Sequence, residues 1–404
     1  MKKRVLITAY SLEIGGIERS LVGLLDVFDY SRYDVDVLLY SRKGELLAFV
    51  PSACRVLPEN PRLATLLKPI KSVLLEGHPL LAAARVLAHR QVNKAFSSAG
   101  EQDADGAVYA LLQAYWDKSL PLMPGLQTEY DAAISFMWPH HYVAYKVRAK
   151  KKFAWIHTDF AATRLDREKD TKVWQCFDRI AAVSDECGEA FKNVYPSLRE
   201  KVVTVENILP TEFVRKGAQA FAPQDMPRED GVYRLLTVGR FCYAKAFDRA
   251  IRVSRILKDR GMPFRWYVIG YGAQEQQIPE WIRQAGVEDC FIVLGKKTNP
   301  YPYMAVCDLY LQPSRYEGKA VTVREAQMLA RPVLITDFQT ARSQVHEGLD
   351  AAIAPQDEEK MADAIEALLL DEKKRAAFSS YAASHDYSNA EQVQIIYDMI
   401  DGKA

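Results

Sequence analysis

The chain has 404 residues, of which 49% are hydrophobic, 26% charged and 11% aromatic; this excludes fibrous and low-complexity classes, and at roughly 100–200 residues per domain it predicts two domains of similar size. Lys and Arg total 53 against 52 Asp and Glu, a net charge of +1, so no whole-molecule field favours nucleic acid and any anionic partner must be held locally. Six scattered cysteines, Cys54, Cys176, Cys187, Cys242, Cys290 and Cys307, form no C-x-x-C pair, which argues against zinc and disulfides and points to a reduced, cytoplasmic setting.

The apolar run 5–10 is shorter than the about 7–15 residues of a signal peptide core and reads as a first buried strand. A helix at 17–28 and a strand at 35–40 follow, then strands at 131–136, 153–157, 179–183 and 202–205 with helical patterns between them. Strands alternating with helices predict a parallel α/β sheet, here a first domain of residues 1–208. Residues 60–125 break the rhythm with two Leu-rich helical stretches. Arg62, Lys68, Lys71, Arg85, Arg90 and Lys94 face a single acid, Glu76, along 62–94. This segment reads as a helical insertion packed on the sheet or as an interfacial helix on an anionic membrane surface, although Pro69 and Pro79 interrupt it. The basic run Lys146, Arg148, Lys150, Lys151 and Lys152 adds to the second reading, or is a solvated helix end. No window reaches the roughly 18 apolar residues of a spanning helix.

Residues 209–231 are polar, contain three prolines and read as a linker. A second α/β series occupies 232–386, with strands at 233–239, 264–270, 291–295, 308–314 and 332–336. Residues 387–404 end in a helix. The fold class is α/β: two doubly wound Rossmann-like domains expected to face each other across a cleft, with the helical insertion in the first.

Ligands of such sheets bind at the loops after the strands, so motifs on those loops carry the functional weight. Gly15-Gly16 lies between the first strand and its helix, where bare backbone can approach a phosphate, or forms an ordinary turn. Arg240 and Lys245 share one strand-to-helix loop and together suit a pyrophosphate. Gly270-Tyr271-Gly272 lacks the third glycine of a dinucleotide fingerprint and is better explained as a turn. Residues 313–336 are the most informative: Glu317 follows a strand, Gly318, Lys319, Ala320 and Val321 lead into a helix, and Glu325 falls in its first turns. A helix start takes phosphate oxygens while carboxylates accept from sugar hydroxyls. The alternative is that Thr322 to Glu325 is a capping box.

GGIERSL, VGRFCYAKAFD, VIGYG and the E-x7-E of Glu317 and Glu325, in that order, resemble the retaining glycosyltransferases of family 4, which have the GT-B fold. The resemblance implies a sugar transferred from a nucleotide-diphosphate sugar, with UDP-linked sugar the expected co-substrate and no further cofactor, to a hydroxyl of a glycan or lipid-linked acceptor in surface polysaccharide or glycolipid synthesis. It implies that Arg240 and Lys245 hold the diphosphate, that Glu325 takes the ribose, and that Glu317, with the amides of Lys319 to Val321, orients the transferred sugar. The loop at Lys296 to Thr298, with Lys297, would meet the base. His157 in WIHTDF would lie near sugar and acceptor, Asn207 would close the first domain, and the last helix would cross back onto it. Where the family has E-G-F-G this chain has Glu317-Gly318-Lys319-Ala320, and Lys245-Ala246 replaces Lys-Gly. A same-face, metal-free route is implied. Two D-x-D strings, Asp34-Val-Asp36 and Asp103-Ala-Asp105, are poorly placed to hold a metal against a diphosphate. An epimerase of the same fold and a noncatalytic subunit are the rival readings.

Overall fold

Short runs of Val, Leu, Ile and Ala assemble two all-parallel sheets in a computed structural model that describes residues 2–96, 104–158, 160 and 163–403. The first contains β1 (Lys3–Ala9), β2 (Tyr33–Leu39), β3 (Arg55–Val56), β4 (Glu129–Ser135), β5 (Arg148–Ile156), β6 (Arg179–Ala182) and β7 (Val202–Thr204) in the order β3-β2-β1-β4-β5-β6-β7. The second contains β8 (Tyr233–Val238), β9 (Phe264–Ile269), β10 (Phe291–Gly295), β11 (Leu309–Gln312), β12 (Val333–Thr336) and β13 (Ala351–Ala354) in the order β10-β9-β8-β11-β12-β13. In each, the order reverses once, between β1 and β4 and between β8 and β11.

Burial on both faces explains why these strands read as continuous apolar runs. In the second sheet Leu236, Val238, Tyr267, Ile269, Tyr310, Val333 and Ile335 enter one core. Their chain neighbours Leu235, Trp266, Val268, Leu309, Leu311 and Leu334 enter the other. Successive side chains of a strand point to opposite faces, so helices must cover both.

The chain divides into one unit of residues 1–208 and 390–404 and a second of residues 209–389. The final helix, Val393–Asp401, belongs to the first unit: Tyr397 stacks on Tyr33 at 5.0 Å, and Asp401 accepts from Lys3 and Arg32, each at 2.8 Å. Residues 209–231 are more than a linker. They form the helix Thr211–Ala218, and Leu209, Val214 and Met226 join a core of the second unit. A few apolar anchors suffice where the rest of the segment is polar.

The insertion is helical, with Pro61–Ala64, Ile70–Leu75, Pro79–Phe96 and Ala104–Ser119. Trp116 is fully buried and donates to the Tyr10 hydroxyl at 2.8 Å, which ties the insertion to the loop after β1. Of the basic run at 146–152, Lys146 ends the helix His141–Lys146, as the helix-end reading expects, but the rest is not helical. From Arg148 onward it is β5, with Lys150 bonded to Asp131 at 2.7 Å and Lys152 to the Ala144 carbonyl at 2.8 Å. Of the D-x-D strings, Asp36 is buried under a bidentate Arg55 at 2.6 and 2.7 Å and the Tyr130 hydroxyl at 2.9 Å, a structural use. Asp103 and the side chain of Asp105 lie outside the described residues. Among the described residues no helix is long and apolar enough to cross a membrane.

Candidate active site

Loops that follow the two strands at an order reversal leave a crevice between them. In the second sheet these strands are β8 and β11, and their loops carry Arg240, Lys245 and Glu317. The β8 loop is held by backbone: Gly239 N–H donates to Ile269 O at 3.0 Å and Phe241 N–H to Tyr271 O at 2.9 Å. Such close approach requires the glycines of Gly270-Tyr271-Gly272. A Cβ on Gly270 would lie 1.9 Å from the Gly239 carbonyl oxygen, and one on Gly272, at φ +155°, 2.6 Å from that of Phe241. The pair therefore serves the turn. One helical turn at Tyr243–Lys245 then leads to Ala246, left-handed at φ 54°, and the helix Phe247–Asp259.

Lys245 and Glu317 meet, with Nζ 2.5 Å from Oε1 and side chains 16% and 11% exposed. Ser314 Oγ donates to the same oxygen at 2.6 Å and Gln312 Nε2 at 3.1 Å. Tyr310 and Thr322 hydroxyls in turn donate to Gln312 Oε1, at 3.0 and 3.3 Å, which fixes its amide with the nitrogen toward Glu317. A carboxylate fed by a cation and two neutral donors is rigidly aimed and charge-matched. Arg240 is exposed on the same loop.

Arg315 clamps the two loops together. Its guanidinium binds Asp248 through both nitrogens at 2.6 and 2.9 Å and the Tyr243 carbonyl at 2.8 Å, and its amide donates to Ala244 O at 2.8 Å. Burial alone would raise the Asp248 pKa, but Arg315 and Arg252 outweigh it and hold the carboxyl below the usual range.

The helix Val321–Met328 has Ala320 as its N-cap, with no side-chain cap. The capping-box reading of Thr322 and Glu325 therefore fails. Glu325 is 1% exposed and accepts from the Tyr301 hydroxyl at 2.8 Å. Gln344 brackets Ala320, accepting its N–H at 3.1 Å and donating to its carbonyl at 2.6 Å. Gly318 and the buried Lys319 connect Glu317 to this helix start. Lys297 is drawn to Asp225, at 2.6 Å.

In the first unit, Gly15 is the extended N-cap of the helix Gly16–Asp26, and Asn207 accepts from Ser20 Oγ at 2.8 Å. His157 follows β5 with Nε2 2.9 Å from the Phe136 carbonyl. A carbonyl only accepts, so Nε2 carries the proton and Nδ1 is an acceptor. Burial lowers the His157 pKa to about 4, so the ring is neutral near pH 7.

The structure thus brings Lys245 and Glu317 together, while Glu325 and Lys297 each engage a separate partner. Gln312, Ser314, Arg315, Asp248 and Gln344 were not evident from sequence. Ser314 and Arg315 lie in the segment 313–336 and Asp248 ends VGRFCYAKAFD, but nothing local gave them these roles.

Residues 219–385 match the family model described as glycosyl transferases group 1. The amylovoran biosynthesis glycosyltransferase AmsK of Erwinia amylovora is 30% identical over 145 residues, 34% of this chain and 35% of that protein. The lipopolysaccharide core biosynthesis mannosyltransferase LpsB of Rhizobium meliloti is 30% identical over 120 residues, 29% of this chain and 34% of that protein. The matched segments thus span about a third of each of these two relatives. Among solved structures, Anabaena HepE in complex with UDP and glucose superposes with a TM-score of 0.69 at 15% identity, covering 99% of this chain and 100% of that one. A variant of S. aureus TarM in complex with Fondaparinux, alpha-GlcNAc-glycerol and UDP gives 0.68 at 13%, covering 99% and 100%. These likenesses show the fold, which is GT-B. The segment matching glycosyl transferases group 1 contains Arg240, Lys245, Glu317 and Glu325 together.

Proposed function

We propose that the protein is a retaining, metal-independent glycosyltransferase that moves a sugar from a UDP-linked donor to a hydroxyl of a glycan or lipid-linked acceptor in surface polysaccharide or glycolipid synthesis. It acts in the cytoplasm, peripherally on the inner face of the cell membrane. The observation that carries the reading is the Lys245–Glu317 pair at the order reversal of the second sheet, inside the segment that matches glycosyl transferases group 1. Arg240 and Lys245 neutralise the diphosphate and the charge that grows on the β-phosphate as it leaves. Glu317, its carboxylate fixed by Ser314 and Gln312, accepts from a hydroxyl of the transferred sugar. Glu325 faces the ribose once Tyr301 yields it. Gly318 to Val321, Gly15, Gly16 and Lys297 complete donor binding. Neutral His157 accepts from a sugar hydroxyl through Nδ1. The bond from the anomeric carbon to the phosphate oxygen breaks as the bond to the acceptor oxygen forms on the same face, and the acceptor proton passes to the departing phosphate.

A thermal-shift screen of nucleoside diphosphates, followed by donor sugars on the best base with an acceptor present, tests the reading. UDP should stabilise the protein most, and the product should keep the donor's anomeric configuration by NMR. An inverted product overturns retention. A new nucleotide sugar formed from donor alone overturns transfer in favour of epimerisation.

A further inference from the structure

The helical hairpin of Ile70–Leu75 and Pro79–Phe96 exposes more apolar surface than its place in the fold requires. Leu74, Leu75, Leu80, Val86 and Leu87 are 55%, 77%, 67%, 37% and 53% exposed. Isolated exposed apolar residues are ordinary; five large ones on adjoining helices mark a surface with a partner. The hairpin is fixed by its turn: Gly77, at φ +82°, donates to Leu74 O and His78 N–H to Val73 O, both at 3.1 Å. Its inner side is already committed, with Val73, Leu81, Ala84, Ala88 and Val92 buried. On Pro79–Phe96, Leu80, Ala83 and Leu87 form one outward stripe at helical spacing, and Arg90 and Lys94 continue it.

Charge identifies the occupant. Along 62–94 there are six Lys and Arg and one acid, Glu76; Glu76 is paired with Lys68 at 2.7 Å, and Arg62 and Arg85 turn to the backbone carbonyls of Leu122 and Thr65, at 2.9 and 3.0 Å, so the exposed cations of the hairpin are Lys71, Arg90 and Lys94. A second copy docking by the same face would bring two such cationic surfaces together in a self-complementary interface and bury them against each other. An anionic bilayer takes up the leucines and neutralises the cations in one contact.

We propose that this hairpin is the protein's docking surface for anionic lipid bilayers, with Leu74, Leu75, Leu80 and Leu87 entering the headgroup boundary and Lys71, Arg90 and Lys94 meeting lipid phosphates. The choice of the inner membrane face rests on the transferase reading; the lipid contact does not.

The test is flotation of the full chain with vesicles of phosphatidylcholine, with and without phosphatidylglycerol, at low and high salt. Binding is expected only with the anionic lipid, weakening as salt rises. Lys71→Ala and Arg90→Ala should each weaken partitioning about fivefold, and Leu75→Asp with Leu80→Asp at least about tenfold. Circular dichroism and the UDP thermal shift should stay as in the wild type, since these residues are exposed and none of them is assigned to the donor. No flotation, or flotation indifferent to these substitutions, overturns the proposal. A dimer in sedimentation that Leu75→Asp disperses overturns it in favour of a second copy. Loss of UDP binding in the wild type would instead count against the transferase reading and leave the lipid result standing.

Discussion

Lys245→Ala and Glu317→Gln should affect donor handling in opposite directions, because the two side chains of one ion pair are assigned to different parts of the donor. Lys245→Ala removes a charge-assisted contact to the diphosphate worth about 1.5–3 kcal/mol, or roughly 10–150-fold in affinity. Glu317 keeps Ser314 and Gln312 as donors, at 2.6 and 3.1 Å, so its loop survives the change. Glu317→Gln preserves shape but frees Lys245 from its counterion, so nucleoside-diphosphate affinity holds or rises. Turnover of the nucleotide sugar nevertheless falls about 10–100-fold, because a charged acceptor for a sugar hydroxyl is lost. Calorimetry with UDP and a UDP-release assay with the full donor read the two effects separately. If both substitutions weaken UDP binding alike, the pair is a strut between loops and the division of roles is wrong.

Arg240→Ala should weaken UDP binding by about 1–3 kcal/mol while melting unchanged, as an exposed side chain on the same loop should; activity should persist in a chelator, and restoration by manganese after its loss would overturn the metal-free route. Gly270→Ala should destabilise the second unit by about 2–4 kcal/mol, since backbone blocks its methyl at 1.9 Å. Gly239→Ala, whose methyl has the Lys245 side chain as its nearest neighbour at 3.3 Å, should melt nearly as the wild type and act on UDP affinity instead; equal melting of the two refutes the close-approach argument. The folded pKa of His157, about 4, lies below its ordinary 6.5, so the folded state binds fewer protons and the contribution is whole above pH 6.5. It is lost as pH falls toward 4, by about 2–3 kcal/mol at pH 4.5. Denaturant unfolding of wild type and His157→Gln at pH 7 and 4.5 should therefore converge in acid, and parallel curves would show that the ring is not buried neutral.

Sequence revealed those features that depend on neighbours along the chain. Strands such as 233–238 and 264–269 are buried on both faces, so their apolar runs announce a parallel sheet. β13, Ala-Ala-Ile-Ala, and the two-residue β3 escaped because small or few side chains carry no such signal. Only the second half of β5 was read as strand, at 153–157; its first half, Arg148 to Lys152, was hidden by lysines that lie in the sheet bonded to Asp131 and the Ala144 carbonyl. The capping box at Thr322 was plausible by spacing and failed because the helix begins at Val321, with Ala320 bracketed by Gln344 from 24 residues away. Lys245 and Glu317 are 72 residues apart, and only the adjacency of β8 and β11 makes them partners.

The two alanines that stand where the resembled glycosyltransferases have glycine differ in physical cost. Ala320 sits at φ −76° and ψ 101°, ordinary extended backbone, so its methyl is accommodated without strain. Ala246 is left-handed at φ 54°, a conformation that costs a residue with a Cβ about 1–2 kcal/mol. Arg315 offsets that cost from outside the loop: it binds Asp248 one residue into the helix and holds the carbonyls of Tyr243 and Ala244 in the turn just before. A glycine at 246 would leave the turn free to sample other conformations, whereas alanine under the Arg315 clamp limits it to one. The loop that presents Lys245 is thereby pre-organised, so a donor bound as proposed would lose less binding energy to ordering it.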